Sequence, residues 1–315
     1  MGRAYCFRTL LIVACLAVPA RAFALTAAEV PLGNVPVAST GDGTVTVNAG
    51  IVEEMLVSFD TSACVGITIS ATGLPLTFPV GGAAVGFAVA LTPAARAAYD
   101  CTVTMVGPGA TNLGTFDITG RGVAPELTVS TATLAFGEVR VGSPATLTFD
   151  ISNTGDASTS LTINSITRVG GQSADFATSA AGAPLGAGTS RTITVTFTPA
   201  ANGAHATSIV VNSNDPVIAD ESIAASGTGV TPVIATSATD FGTVTVGTAE
   251  VANLMVANSG SGTLTVTSAT LSSPTNSWFS FTAVPQAACD ASASSCNFNP
   301  DLDIRATAAT VQIRC

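Results

Sequence analysis

The chain has 315 residues, with 20 acidic side chains against 10 basic ones, a net charge of −10 and only 10% charged residues in all. All ten basic residues are arginine, which excludes Schiff-base and lysine-base chemistry. Cations this sparse and scattered also exclude a nucleic-acid groove or an anionic membrane surface as partner.

The first residues read as a targeting signal. Arg3 and Arg8 precede an apolar run, Thr9 to Ala20, about a dozen residues long and too short to span a bilayer comfortably. Ala22-Phe23-Ala24 is a small-x-small cleavage site, so residues 1–24 are a signal peptide and Leu25 is the mature start. A rival reading takes Ile12-Val13-Ala14-Cys15 as a lipobox with Cys15 lipidated. The apolar run continues through Leu16-Ala17-Val18, which places Cys15 inside the hydrophobic region and favours plain cleavage. Both readings predict export to the periplasm, the cell surface or the medium, with no membrane insertion of the mature chain. Loss of Arg3, Arg8 and Arg21 with the signal makes the mature chain more acidic still.

Beyond the signal the composition is Thr, Val, Ser, Gly and Ala, with no helical periodicity. Gly43-Thr44-Val45-Thr46-Val47 recurs letter for letter at Gly242–Val246, and Gly137-Glu138-Val139-Arg140-Val141 holds the same pattern between them. The spacing of about one hundred residues is that of a whole small domain, so the sequence predicts three copies of one β domain. Leu74 to Ala95 is uncharged and long enough to cross a membrane, but Pro75, Pro79, Pro93 and Gly81-Gly82 break a helix there and predict two buried strands. In the middle copy, Thr146–Ser152 and Thr192–Phe197 alternate apolar and polar residues, the pattern of half-buried antiparallel strands. Further runs at Leu161–Ile166, Thr207–Val211 and Ile223–Ala225, separated by Gly/Asn/Asp/Pro turns, predict about seven strands. The expected domains are 25–123, 124–230 and 231–315. The linkers between them are only a few residues long, as in a semi-rigid rod.

Landmarks repeat between copies. Asn153-Thr154-Gly155 matches Asn258-Ser259-Gly260; Phe197-Thr198-Pro199 matches Leu91-Thr92-Pro93; Ser226-Gly227-Thr228-Gly229-Val230 matches Thr119-Gly120-Arg121-Gly122-Val123. With Phe136-Gly137-Glu138-Val139 and Ser213-Asn214-Asp215-Pro216, these motifs resemble the abnormal-spindle/Hydin (ASH) type of immunoglobulin-like domain. More closely they resemble the bacterial surface proteins called choice-of-anchor D. The resemblance is strongest over 124–230. It implies an all-β chain of tandem immunoglobulin-like sandwiches that is extracytoplasmic, non-enzymatic and without catalytic residues. In the third copy Ala309–Arg314 corresponds to Thr192–Phe197 and the sequence then stops, so this copy is expected to be incomplete and the chain a fragment of a longer one.

Five cysteines follow the signal. Cys64 and Cys101 are disulfide candidates in the first copy, with separate buried thiols as the alternative, and Tyr99-Asp100-Cys101 has the form of a tyrosine corner. Cys289 and Cys296 lie in an Ala/Ser-rich stretch and are candidates to clip a loop, which leaves Cys315 odd. No Cys-x-x-Cys pair or Gly-x-Ser-x-Gly elbow occurs, and no cofactor is expected. His205 falls where Tyr99 falls when both are counted from their Thr-Pro turns, which predicts a corner residue bonded to backbone. Asn297, Asn299, Asp301 and Asp303, and separately Asn212, Asn214 and Asp215 near the second junction, offer oxygens for weak calcium binding. Turn chemistry is the simpler use of Asn-Asp-Pro. Trp278-Phe279-x-Phe281 is the one aromatic cluster, expected in the core. These readings predict a non-enzymatic structural, adhesion or spacer protein presenting loops or edges to a protein partner. The alternatives are a strand-accepting, chaperone-like binder and the N-terminal spacer of a longer surface enzyme.

Overall fold

The computed structural model describes residues 25–271, 279–283, 295–304 and 309–314. The second domain shows how the sequence makes the fold. In Ala145–Asn153, Phe149 and Ile151 turn to the interior while Thr146 and Thr148 face solvent. Ser190–Phe197 does the same with Ile193, Val195 and Phe197. The two strands pair antiparallel with Phe149 opposite Ile193 and Leu147 opposite Val195, so one face of the ribbon is continuously apolar and needs covering. Leu127–Val129 and Phe176–Thr178 complete that sheet. A second sheet, in the order Thr133–Arg140, Asp220–Val230, Gly203–Ser213, Ile163–Val169, covers it. Between the sheets lie Phe149, Phe176, Phe197, Ile209, Val211 and Ile223, with Phe176 and Phe197 stacked at 4.7 Å. This is an immunoglobulin-like sandwich. Its two main sheets hold eight strands where about seven were expected, because the opening run divides, and a short ribbon of Ser160–Leu161 with Leu185–Gly186 adds two more. Leu127–Val129 pairs antiparallel with one sheet, and Thr133–Arg140 crosses over to pair in parallel with Asp220–Val230 in the other.

The first domain repeats this plan around its own core of Val45, Val47, Phe87, Val89, Met105 and Ile118. Its sheets run Thr26–Ala27, Gly41–Asn48, Val85–Leu91, Ile67–Ile69 and Val30–Pro36, Asn112–Val123, Cys101–Val106, Ser58–Asp60. The uncharged stretch from Leu74 contains strands Leu76–Phe78 and Val85–Leu91, as expected.

The repeated pentapeptide does not mark equivalent positions. Gly43–Val47 lies inside Gly41–Asn48, flanked on both sides within its sheet. Gly137 lies in the edge strand Thr133–Arg140. The true counterpart of Phe136-Gly137-Glu138-Val139 in the first domain is Leu32-Gly33-Asn34-Val35, in the strand that pairs in parallel with the domain's last strand. The backbone fixes the alignment: Gly33, Gly137 and Gly242 have φ of 66°, 68° and 63°. Five residues on, Ala38, Gly142 and Gly247 have φ of 62°, 77° and 88°. A Thr/Val alternation suits any half-buried strand, whereas a left-handed residue is a demand of one position.

In the third domain, Ile234–Thr236, Val251–Asn258, Ala309–Arg314 and Ser280–Ala283 reproduce the first sheet in order. Ala309–Arg314 pairs with Val251–Asn258 as Ser190–Phe197 pairs with Ala145–Asn153, which agrees with the sequence correspondence. Leu264–Thr270 pairs with Ser295–Ile304. Gly242–Val246 is not a strand here. Its counterpart in the second domain gains its ladder from Asp220–Val230, and no such partner strand occurs among the described residues. Phe281 joins Val256, Ile304 and Val311 in the core, and Phe279 packs on Phe241 at 5.5 Å. Trp278, Cys15, Cys289 and Cys315 lie outside the described residues. Cys296 belongs to the strand Ser295–Ile304 and not to a loop, as do Asn297, Asn299, Asp301 and Asp303.

Candidate functional site

Charged and amide side chains gather at the joint between the first two domains. Val123 ends one sandwich and Leu127 opens the next, so the linker is Ala124-Pro125-Glu126. Asn153, fully buried, is the socket for it. Its Oδ1 accepts the N–H of Glu126 (3.2 Å) and of Gly155 (3.0 Å), and its Nδ2 donates to the carbonyls of Leu185 (3.0 Å) and Thr159 (3.4 Å). Gly155 must be glycine because a Cβ there would sit 2.5 Å from the Ala124 carbonyl oxygen. The Asn-x-Gly motif is therefore a linker-binding device.

Asp156, the next residue, closes the joint. Its Oδ2 accepts the Ala124 N–H (3.2 Å) and the Nε of Arg96 (2.8 Å), and its Oδ1 accepts from Arg121 (2.8 Å). Arg96 also reaches Glu126 at 2.6 Å. Both arginines belong to the first domain, Arg121 inside the Gly120-x-Gly122 motif and Arg96 in the turn after Pro93. The Asp156 side chain is 11% exposed and that of Arg96 28% exposed. The hydrogen bond from Arg121, aided by those from Arg96 and the Ala124 amide, pulls the Asp156 carboxyl down to about 2 against the cost of burial, and the two carboxylates push the Arg96 guanidinium up. The cluster fixes one sandwich against the next.

The second joint reuses the socket. Asn258 accepts the N–H of Val233 (3.1 Å) and of Gly260 (3.0 Å), and donates to the carbonyls of Gly262 (2.8 Å) and Ile304 (3.3 Å). Thr231 donates its N–H to Ser261 Oγ and its hydroxyl to Asn202 Oδ1, both at 2.8 Å. A groove of about 710 Å³ runs beside it, lined by Glu138, Arg140, Val230, Pro232 and Thr263–Thr265.

The residues singled out from the sequence are placed as follows. Cys64 and Cys101 are joined, with Cα atoms 5.2 Å apart. The Tyr99 hydroxyl bonds the N–H (3.0 Å) and carbonyl (3.3 Å) of Ala95. His205 occupies the same place in its own domain: its Nε2 donates to the Ala201 carbonyl at 2.8 Å and its Nδ1 lies 2.7 Å from Asp175. Asn212, Asn214 and Asp215 sit at the first joint's end of the second domain, not near the second joint. Asp215 accepts from Leu127, Val217 and Ile218, Asn214 from Thr162, and Asn212 from Asn164. These oxygens hold turns and the entering strand. Arg96, Arg121, Glu126 and Asp156 escaped the sequence reading. The available signal was two of only ten arginines lying beside a predicted boundary, opposite two acids.

Residues 123–220 match the family model described as ASH, Abnormal spindle-like microcephaly-assoc'd, ASPM-SPD-2-Hydin. The second domain is thus of ASH type. No curated protein matches the chain. Among solved structures, a protein of unknown function from Porphyromonas gingivalis is similar at 12% identity over 65% of this chain and 99% of its own, with a TM-score of 0.29. The ASH/PapD-like domain 7 of human CEP192 is similar at 16% identity over 33% of this chain and 84% of its own, with a TM-score of 0.26. A three-domain I-band fragment of titin is similar at 8% identity over 93% of this chain and 87% of its own, with a TM-score of 0.29.

Proposed function

We propose that this β-sandwich repeat protein is an exported, non-enzymatic spacer or adhesion module of the choice-of-anchor D kind, which holds loops and strand edges at a fixed reach from the envelope and presents them to a protein partner. The observation that carries the reading is the first joint. Two arginines, two acids and a buried asparagine are spent on the relative placement of two sandwiches, and a chain whose work is spatial needs that placement. The signal-like N-terminus supports export. So does the Cys64–Cys101 bond, since disulfides persist in oxidising compartments.

The test is expression of the full chain with its own N-terminus in a bacterial host, followed by fractionation and N-terminal sequencing. The reading expects an extracytoplasmic product beginning at Leu25. A product acylated on Cys15 substitutes lipid anchoring for release. An uncleaved cytoplasmic product overturns export. Pull-down from the native envelope, with and without calcium, then identifies the partner and tests whether the metal contributes.

A further inference from the structure

The end of the sandwich that receives a linker in the second domain is built differently in the first. Val45 opposite Phe87 and Phe149 opposite Ile193 align the two sheets, so Ala49, Ile51 and Val52 hold the places of Asn153, Gly155 and Asp156. A side chain at Gly155 would strike the Ala124 carbonyl of the linker. Ile51 in the same place carries a branched aliphatic group that is 78% exposed. Val52 beside it is half-exposed, and Val80 is 62% exposed. Val52 leads into the strand Glu54–Leu56 and Val80 follows the strand Leu76–Phe78. These strands pair with Glu54 opposite Phe78, and the same register continued outward sets Val52 opposite Val80. The face lies at the free end of the first sandwich, where Leu25 enters opposite Ala49 in the continued register of Thr26 with Asn48. Large aliphatic groups gathered in water at one end of a domain favour a covering partner.

Charge says what kind of partner that is. Glu53 and Glu54 follow Val52 directly and have no hydrogen-bond or ion-pair partner among the described residues. A surface that covers the aliphatic groups therefore meets two carboxylates and needs cations for them. The second domain shows the arrangement, since the same end of that sandwich is met by Arg96 and Arg121. A second copy docking end to end would set Glu53 and Glu54 against themselves, and an anionic bilayer would repel them. We propose that the free end of the first domain is a docking surface for a cationic amphipathic segment of another protein, with its aliphatic side chains on Ile51, Val52 and Val80 and its Lys or Arg on Glu53 and Glu54. This rests on the reading of a module that meets a protein partner and adds the surface and the partner's chemistry.

Fluorescence anisotropy with three synthetic peptides and the mature chain tests it. An amphipathic leucine–lysine peptide should bind at least about tenfold more tightly than a serine–lysine peptide of equal charge or a leucine–glutamate peptide with the same apolar face. Ile51→Ser with Val52→Ser and Val80→Ser should weaken the leucine–lysine peptide on the order of tenfold. Glu53→Gln with Glu54→Gln should weaken it too and flatten its salt dependence. Unchanged melting of the first domain shows that these variants keep the fold. Val217→Ser with Ile218→Ser, at an exposed aliphatic pair of the second domain close to Asp220 and Glu221, should leave binding as it was. The proposal is overturned if the three peptides bind alike, if the triple-serine variant binds as the wild type does, or if the Val217 and Ile218 variant loses as much. It is equally overturned if sedimentation shows a dimer that the triple-serine variant dissolves, or if phosphatidylcholine vesicles capture the wild type and not that variant. An uncleaved cytoplasmic product would sink the export reading and leave this surface standing. A native-envelope partner captured equally by the triple-serine variant would sink this surface alone.

Discussion

Asp156 links the domains through an ionised carboxylate, so its contribution depends on pH in a definite sense. Its carboxyl is held at about 2, below the ordinary 3.8. A depressed acid adds stability that is fully present above its unfolded value and lost as pH falls through the folded one. The added stability of the joint should hold at every pH above about 4 and fade between about 4 and 2. Asp156→Asn should weaken coupling of the first two domains by about 1–2 kcal/mol at neutral pH, between an exposed and a buried pair. Melting curves of wild type and variant measured down the acid range should converge near pH 2, and a difference that persists there would place its origin elsewhere. His205 is a second residue whose value lies in its partners. Leu at this position would leave the Asp175 carboxylate and the Ala201 carbonyl unpaired in a buried corner, and should cost about 2–4 kcal/mol in the second domain, read by denaturant unfolding of the full chain. The corner was legible in the sequence because Tyr99 and His205 stand at one distance from two Thr-Pro turns. Asp175 was not, lying 30 residues from His205, nor was Arg96 with Asp156, 60 apart and in different domains. A motif search that takes each copy alone misses contacts made between copies.

The first two sandwiches solve one problem with different chemistry. In the first, the disulfide ties the loop at Cys64 to the start of strand Cys101–Val106. In the second, Thr207 holds the place of Cys101, eight residues after the Thr-Pro proline, and its hydroxyl donates to the Val169 and Gly170 carbonyls of the matching loop. A bond across a sequence separation of 37 is worth roughly 3–4 kcal/mol in the chain-entropy treatment. Reduction, or Cys64→Ser with Cys101→Ser, should therefore lower the melting of the first domain alone. Calorimetry with and without reductant checks this, and an equal fall in the second domain would refute it. The glycine pairs show what could be read from letters. In Gly120-x-Gly122 and Gly227-x-Gly229 a Cβ on the first glycine would meet Leu91 or Phe197, and one on the second would meet the carbonyl oxygen of Ala95 or Ala201. That motif marked true equivalence because close approach leaves no other residue type. The Gly-Thr-Val-Thr-Val string did not, since pleated half-buried strands accept it anywhere. The real repeat was hidden in the first domain, where Leu32 replaces phenylalanine and Ala38 replaces glycine at a left-handed position.

At the scale of the whole molecule, the three domains are unequal, and their order along the chain gives that inequality a direction. The second domain covers both apolar sheet faces and seals its ends with Asn153, Asp215 and His205, all buried and hydrogen-bonded. In the third, the segment that should form the edge strand lies unpaired among the described residues. Val246 there is fully exposed, and Val251 and Met255 are half-exposed. Large apolar side chains in water and an unladdered edge both lower the free energy of local opening. Units in series yield in order of stability, and the first boundary is held by Arg96 and Arg121 on Asp156. Limited proteolysis of the full chain should then cut first at or beyond Thr231 and leave a fragment covering 25–230 that resists for much longer. Initial cleavage at Ala124–Glu126 would show that the first joint, and not the third domain, is the weak point. If the fragment survives, the stable unit of this protein is the pair of sandwiches tied through Arg96, Arg121 and Asp156, with the third domain the first to open.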